Sequence, residues 1–189
     1  FEDDSHRSRL SALTAKLSGW GVAIADLNND GWKDIFTANG HVTDNIESFS
    51  GDRYKEPNAV FVNKRDGTFM DASPAAGTTF QTPRAHRGVV IADFDEDGRL
   101  DAAATILGER AELWRNLTAG NNWLAFRLIG TRSNRDGIGA VVKIGNQFNE
   151  MTSSVGYASS ALVPVHFGLN TEAAAPDVVL LDWNMPVMS

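Results

Sequence analysis

The sequence contains no cysteine, no long apolar run and no surplus of positive charge. The absence of cysteine excludes disulfides, thiolate catalysis and cysteine-ligated zinc. No apolar stretch approaches the length that crosses a bilayer, so no transmembrane segment is expected. The net charge of -7 repels nucleic acid, and no basic stripe with interleaved aromatic residues offsets it. An acidic chain of this kind suits divalent cations instead.

A repeat organises the N-terminal part of the chain. Gly21–Asp34 recurs as Gly88–Asp101, 67 residues later (26 to 93), without a gap. Farther along, Ala59–Asn63 resembles Glu112–Asn116. Short apolar stretches separated by Asn-Asp-Gly and Asp-Gly clusters predict β-strands joined by turns. The repeat therefore predicts two similar units built from antiparallel strands.

The opening of the chain also fits this pattern, because Phe1–Asp3 resembles Phe69–Asp71, which closes the first unit. We therefore expect residue 1 to lie within a preceding repeat of a longer parent protein. Ser8–Leu17 places three leucines on one helical face and predicts either a helix or an irregular loop between units. The pair Ala59–Asn63 and Thr68–Asp71 flanks a turn and predicts a hairpin.

After Asn116 the repeat ends, and residues 118–122 form a predicted linker. Four further strands are predicted in the C-terminal part, and this part should form a small β-sandwich or barrel-like module. Its expected core residues are Trp123, Phe126 and Phe167. The four strands are Trp123–Gly130, Ala140–Gly145, Val163–Gly168 and Val178–Asp182, with surface loops at Thr131–Gly139 and Ala173–Pro176.

Both repeat units contain the pattern D-x-[DN]-x-D-G-x-x-D, which is the strongest chemical signal in the chain. Calcium takes six to eight hard oxygen ligands, and side chains at the first, third, fifth and ninth positions converge if the chain turns sharply. Gly31 and Gly98, at the sixth position, permit that turn. Two carboxylates about 4 Å apart repel by roughly 4 kcal/mol at an effective dielectric of 20, so clustered carboxylates favour a bound cation.

Two calcium sites are therefore predicted, with a structural rather than a catalytic role. Their ligands are side chains and, at the seventh position, a backbone carbonyl. They are Asp26, Asn28, Asp30, Trp32 and Asp34 in the first loop and Asp93, Asp95, Asp97, Arg99 and Asp101 in the second. An EF-hand is excluded because its twelfth position, a glutamate, is Thr37 or Ala104 here. Plain polar turns remain the alternative.

Several stretches resemble the FG-GAP/VCBS-type propeller repeat and, more specifically, the C-terminal part of the cartilage acidic protein family, which carries an ASPIC/UnbV domain. The match runs from about Gly19 to Leu169, and its most specific part is Gly130–Ala140. The stretches that carry it are Asn39–Val42, Glu56–Asn58, Asp66–Phe69, Asp93–Asp101, Gly120–Leu124, Arg127–Leu128, Gly130–Ala140 and His166–Gly168. The ending Asp182–Pro186 departs from the family pattern, which leaves the register of the last strand open.

The resemblance implies an all-β chain: a partial β-propeller of about two FG-GAP/VCBS-like blades, residues 1–117, followed by a small β-sandwich-like ASPIC/UnbV domain, residues 118–189. It implies a calcium-binding, extracellular, periplasmic or surface-displayed protein with an adhesion-like role and no established catalytic residues. Two blades cannot close a propeller, so the remaining blades are expected in the same or another chain.

Two functional classes follow. The first is a binding or scaffold module with a protein or glycan partner, because repeated structural metal sites occur without a catalytic cluster. The second is a subunit or fragment of a propeller enzyme, such as a polysaccharide lyase, a dehydratase or a natural-product biosynthesis protein. Its candidate residues would be His41, Arg84, His86 and Arg87.

Smaller signals have structural explanations that are at least as good. Arg132, Arg135 and Asp136 could bind an anion or form a salt-bridged turn. Asn116–Thr118 is a glycosylation sequon that matters only in a eukaryotic secretory host.

Overall fold

The computed structural model describes residues 1–132, 134–174 and 177–181. The two repeat units form two antiparallel sheets, here called blade 1 and blade 2. Blade 1 contains β1 (Gly19–Ala25), β2 (Asp34–Asn39), β3 (Ala59–Asn63) and β4 (Phe69–Asp71) in that order. Blade 2 contains β5 (His86–Ala92), β6 (Asp101–Ile106) and β7 (Glu112–Trp114). The all-β class expected from the sequence is confirmed.

The repeat is kept in the strand register as well as in the sequence. Val22 pairs with Thr37 in blade 1, and the residues 67 positions later, Val89 and Ala104, pair in blade 2 (22 to 89, 37 to 104). A slip of one residue would reverse which side chains face the neighbouring blade, so matched registers give the two blades equivalent faces.

One apolar core lies between the two blades. Phe36 and Ala38 of blade 1 pack with Val89 and Ala102 of blade 2, and Phe80 from the connecting segment joins them. The rings of Phe36, Phe80 and Trp114 meet at tilted or edge-on angles with centroids 5.5–6.3 Å apart. These contacts hold the two blades against each other. The β1–β2 and β5–β6 connections lie side by side at one end of the paired blades.

The stretch Ser8–Leu17, for which either a helix or an irregular loop was expected, contains one helical turn, α1 (Leu10–Leu13). The remaining residues of that stretch are irregular, because no buried residue of α1 ties its leucines to a core. Short 3-10 turns cover Ile46–Ser48 and Ser73–Ala75.

The C-terminal part contains three small sheets. β8 (Asn122–Phe126) pairs with β13 (Val165–Asn170), while β9 (Val141–Ile144) lies between β10 (Gln147–Glu150) and β14 (Val178–Leu181). β11 (Ser154–Gly156) and β12 (Ser159–Ser160) form a hairpin. The described strands form no closed barrel. The four predicted strands are present, whereas β10, β11 and β12 were not expected.

The core of the C-terminal part differs from the expectation in one residue. Phe167 is fully buried among Val142, Ile144 and Val165, and Phe126 packs against this cluster. Trp123 is not in it: the side chain is 41% exposed and lies against Gly98 of the second acidic loop. The boundary predicted between residues 117 and 118 falls in an irregular segment, and the division into two domains stays a prediction.

Among the described residues, no helix is long and apolar enough to cross a membrane. Ser133, Ala175, Pro176 and residues 182–189, which include the end of the predicted last strand and the divergent ending, lie outside the described residues.

Candidate metal centres

The two acidic loops connect equivalent strands and share one backbone conformation. Loop 1 (Asp26–Asp34) joins β1 to β2, and loop 2 (Asp93–Asp101) joins β5 to β6. The fourth and sixth residues of each loop have positive φ: 57° and 89° for Asn29 and Gly31, 60° and 84° for Glu96 and Gly98. Glycine tolerates this left-handed region best, which explains its place at the sixth position.

The first carboxylate of each loop holds the turn closed. Asp26 accepts the backbone N–H groups of Asp30 and Gly31, at 3.0 and 2.8 Å. Asp93 accepts those of Asp97 and Gly98, at 3.1 and 2.8 Å. The equal pattern folds both loops around their carboxylates, as a cation site built from one loop requires.

The ninth carboxylate of each loop ties the loop to the blade. Asp34 accepts from the backbone N–H of Leu27 (3.0 Å) and of Asn63 (2.9 Å). Asp101 accepts equivalently from Phe94 (3.1 Å) and Asn116 (2.7 Å). The similarity of Ala59–Asn63 to Glu112–Asn116 was visible in the sequence, but the role of its last residue, asparagine, was not.

Asn116 has a further structural role. Its side-chain Nδ2 donates to the carbonyl oxygens of Leu27 (2.7 Å) and Leu100 (3.1 Å), which links the two loops. The sequon nitrogen is therefore engaged inside the protein.

The predicted ligands converge most closely in loop 2. Asp93, Asp95 and Asp101 each bring a carboxylate oxygen within 4.8 Å of the others. Among the described residues, loop 1 forms no such group of three acidic side chains, since its third position is Asn28 and Arg65 binds Asp30 Oδ2 at 3.0 Å. In loop 2, Arg115 contacts Asp95 (2.5 Å) and Asp97 (3.0 Å), and the Arg99 side chain also binds Asp97. Arginines thus compete with a cation for some of the predicted ligands.

The two loops differ in electrostatics because they differ in burial. Removal from water raises the pKa of Asp26, and it raises that of Asp34 to about 6. Burial also lowers the pKa of the neighbouring Lys33. Burial opposes ionisation of Asp97 too, but hydrogen bonds from Arg115 and the backbone of Arg99 leave its pKa below the ordinary value. In loop 1, burial therefore disfavours the ionised forms of Asp26 and Asp34.

The residues fit a hard divalent cation. The side-chain ligands are carboxylates and one amide, and the seventh positions, Trp32 and Arg99, would add backbone carbonyls, so every donor is oxygen. A calcium ion held by Asp26, Asn28, Asp30 and Asp34 would favour the ionised form that burial disfavours. In loop 2, the five equivalent residues would hold a calcium ion in the same way, provided that Asp97 gives up its ion pairs with Arg99 and Arg115.

The C-terminal part contacts the sixth glycine of both loops, which sequence reasoning missed. A Cβ on Gly98 would overlap the Trp123 ring, and the Gly98 carbonyl accepts hydrogen bonds from Asn29 (2.9 Å) and His166 (3.1 Å). Next to Gly31 lies the Gln147 amide, and a Cβ on Gly168 would overlap Asp26. In the sequence, only the glycines at positions 31, 98 and 168 hinted at these close contacts.

The residues considered for catalysis make ion pairs, hydrogen bonds and ring contacts with other parts of the chain. His86 is fully buried and lies 3.1 Å from Glu112, which also pairs with Arg84 at 2.8 Å. Arg87 stacks on Trp20 and donates to backbone carbonyls, including that of His41 at 3.1 Å. None of the four lines either of the two large cavities beside the loops within the described part of the chain.

The loop around Arg132, Arg135 and Asp136 is a hydrogen-bonded turn, in which the Asn134 side chain both donates to and accepts from the backbone of Ile138 (2.9 and 2.7 Å). No ion pair joins these charged residues within the described chain.

The comparisons with known proteins agree with this architecture. Residues 45–104 match the family model described as an FG-GAP-like repeat, which includes loop 2, and residues 130–186 match the model described as ASPIC and UnbV. The chain is thus similar to an FG-GAP-like repeat over residues 45–104 and to the ASPIC and UnbV family over residues 130–186.

Three curated proteins that the chain resembles are named Cartilage acidic protein 1. The Homo sapiens protein is 36% identical over 92 residues, the Xenopus tropicalis protein 34% over 89, and the Mus musculus protein 33% over 92. These alignments cover 48%, 47% and 48% of this chain and 12%, 11% and 12% of the relatives. The chain therefore spans about an eighth of the length of the curated relatives it matches. The resemblance stated from the sequence is confirmed.

Proposed function

We propose that this chain is a calcium-stabilised extracellular or surface module that binds protein or glycan partners as part of a larger scaffold. One observation carries the proposal: two acidic loops with the same backbone conformation present oxygen donors at the same positions, and burial opposes ionisation in one of them. A cation bound in each loop would relieve this cost. The proposal of an outside location rests on the relatives, which are named for cartilage.

Exposed blade faces support a scaffold role with further blades as partners. Val89 and Ile91 of blade 2 pack against blade 1, and Val89 is only 1% exposed. Their equivalents on blade 1, Val22 and Ile24, are 42% and 66% exposed. These residues lie on the face that a preceding blade would cover by the packing seen between blades 1 and 2. Leu113, on the far face of blade 2, is exposed as well.

The test is calorimetry of thermal melting during a calcium titration. With weak sites, Kd about 10⁻⁴–10⁻³ M, 10 mM calcium should raise the melting temperature by about 5–10 °C. The double variant Asp30→Ala plus Asp97→Ala should lose that rise. Asp66→Ala, which removes an exposed turn carboxylate outside both loops, should keep it. An unchanged melting temperature in the unaltered protein contradicts the calcium proposal.

A further inference from the structure

A cleft with a volume of about 890 Å³ opens between loop 1 and the C-terminal part. This volume lies in the range of small-ligand sites, about 300–1,000 Å³. One wall is the end of loop 1 with Trp32 and Lys33, and the other is the β9–β10 turn with Gln147 and Phe148. The cleft lies beside the predicted calcium ligands but is much larger than an ion site.

Two aromatic side chains line opposite walls of this cleft. Trp32 is 46% exposed and Phe148 is 71% exposed, although both are large and apolar. Across the described chain, neither ring stacks on another aromatic ring, so the ring faces stay available. Exposed aromatic faces at a concave site indicate a ligand with a flat apolar surface, because C–H groups lie favourably on the negative face of a ring.

The polar groups between the rings are mostly amides. Gln147 Nε2 donates to the Gly168 carbonyl at 2.8 Å and thereby fixes the side chain. Asn146 and Asn170 also line the cleft, and their side chains make no hydrogen bond with the described residues. An amide offers a donor and an acceptor together, which matches a hydroxyl group better than it matches an ion.

The charges of the lining argue against a polyionic ligand. The charged lining residues are Lys33, Glu172 and Asp30, and Asp30 is already paired with Arg65. The net charge of -7 would slow the approach of a polyanion. A neutral ligand rich in hydroxyl groups, with apolar ring faces, satisfies all of these features.

We propose that this cleft binds a neutral oligosaccharide, with sugar rings on Trp32 and Phe148 and hydroxyl groups on the neighbouring amides. The inference rests on the proposed function, since it names the partner class of the same module and places it against loop 1. Trp32 is the seventh residue of loop 1, so a loop held by calcium would also hold this wall of the cleft.

The experiment is saturation-transfer NMR, with tryptophan fluorescence titration, of the full chain in 10 mM calcium. The probes are cellotetraose, maltotetraose, mannotetraose and chitotetraose, with tetragalacturonate as the acidic comparison. At least one neutral probe should bind with a dissociation constant at or below about 1 mM. Trp32→Ala and Phe148→Ala should each weaken it about tenfold, in line with the loss of one stacking platform.

Phe49→Ala is the matched control, because Phe49 is 67% exposed and does not line the cleft; its affinity should be unchanged. Both test side chains are at least half or nearly half exposed, so the melting temperatures of the variants should stay within about 2 °C of that of the unaltered protein. No neutral probe binding, binding of tetragalacturonate alone, or binding that survives both substitutions overturns the inference. A protein that calcium stabilises but that binds no saccharide overturns the inference while leaving the proposed function intact.

Discussion

Loops 1 and 2 have the same sequence pattern and the same turn, yet they lie in different surroundings. In loop 1, Asp26 and Asp34 are 1% and 0% exposed, and Gly168 of β13 packs directly on Asp26. In loop 2, Asp95 is exposed and Arg115 lies across the fifth and third positions. Loop 1 therefore has two enclosed carboxylates and one, Asp30, that is paired with Arg65, whereas loop 2 has an exposed Asp95, a buried Asp101 and an arginine across two of its carboxylates.

The repeated sequence pattern therefore predicts which side chains could bind a cation, but it does not predict the free energy of ionising them. Burial raises the free energy of the ionised carboxylates in loop 1, so a cation has more to stabilise there. Arginine already offsets part of the charge in loop 2, so a cation must displace it. We expect loop 1 to depend more strongly on calcium and loop 2 to respond more strongly to changes in its arginines.

The largest expected effect comes from the ninth position of either loop. Asp34→Ala leaves two backbone N–H groups without their acceptor and should lower the free energy of unfolding by about 2–5 kcal/mol. Asp101→Ala removes the equivalent two hydrogen bonds and should have a similar effect. Urea denaturation at pH 7 measures both. A loss below about 1 kcal/mol in only one variant would show that the ninth positions are not equivalent.

Substitutions at the sixth position should destabilise the protein to different extents in the two loops. Gly98→Ala puts a methyl group into the Trp123 ring and strains a positive φ, with an expected loss of about 2–4 kcal/mol. A Cβ at Gly31 comes no nearer than 3.2 Å to another atom, the Gln147 amide nitrogen, so the loss in Gly31→Ala should be nearer the backbone strain alone, about 1–2 kcal/mol. The same urea experiment ranks them, and equal losses would mean that Trp123 moves aside freely.

The pH dependence should come from loop 1. The pKa of Asp34 in the folded protein is about 6, above its ordinary 3.8, so the folded state holds the proton more tightly. In calcium-free protein, protonated Asp34 therefore adds roughly 3 kcal/mol to the free energy of unfolding below about pH 4, and this stabilisation is lost as the pH rises through 6. Calcium binds the ionised form, so its stabilising effect should grow over the same interval.

Urea unfolding in EDTA from pH 4 to 7 checks this prediction. Asp34→Asn should flatten the pH profile of the unfolding free energy. Asp66→Asn should not, because the folded pKa of Asp66 is lowered to about 2 and this residue loses its contribution only at lower pH. If the unfolding free energy of Asp34→Asn varied with pH as steeply as that of the unaltered protein, burial would not raise the pKa of Asp34 as described.

Removing the arginines that contact the loops, Arg115 and Arg65, should change the stability least and calcium binding most clearly. Arg115→Ala removes a cation from two predicted ligands and should strengthen calcium binding at loop 2 a few-fold, while exposed ion pairs contribute at most about 1 kcal/mol to stability. Arg65→Ala frees only Asp30 in loop 1 and should change affinity less. Isothermal titration calorimetry compares them, and weaker calcium binding in Arg115→Ala would mean that Arg115 organises the site.

The sequence predicted the repeated features well because they are local. The alternation around Val22 and Val89, the turn glycines and the matching strand pairs all follow from short-range patterns with a period of two. The predicted ligand positions were identified in the same way. Asn63 and Asn116 could have been assigned to the ninth carboxylates only with knowledge of which strand lies beside the loop.

The failures concern contacts between distant parts of the chain. Trp123 was assigned to the C-terminal core because aromatic residues in strands are usually buried there, but packing on Gly98 holds it elsewhere. The sequence left a helix and an irregular loop open at Ser8–Leu17, and the structure has a single helical turn within an otherwise irregular stretch. The arginines near loop 2 carry no periodicity, so sequence alone could not place them on the acidic ligands.

The hydrogen bond from Asn121 to the carbonyl of Asn28, 2.8 Å long, spans 93 residues and has a consequence for biosynthesis. The ribosome releases loop 1 well before its final neighbours exist, and such distant contacts form late. A nascent chain that has left the ribosome only as far as blade 2 therefore exposes loop 1 to water and to ions. The C-terminal part, which encloses loop 1, is made after blade 2, so an ion can reach loop 1 before that part packs over it.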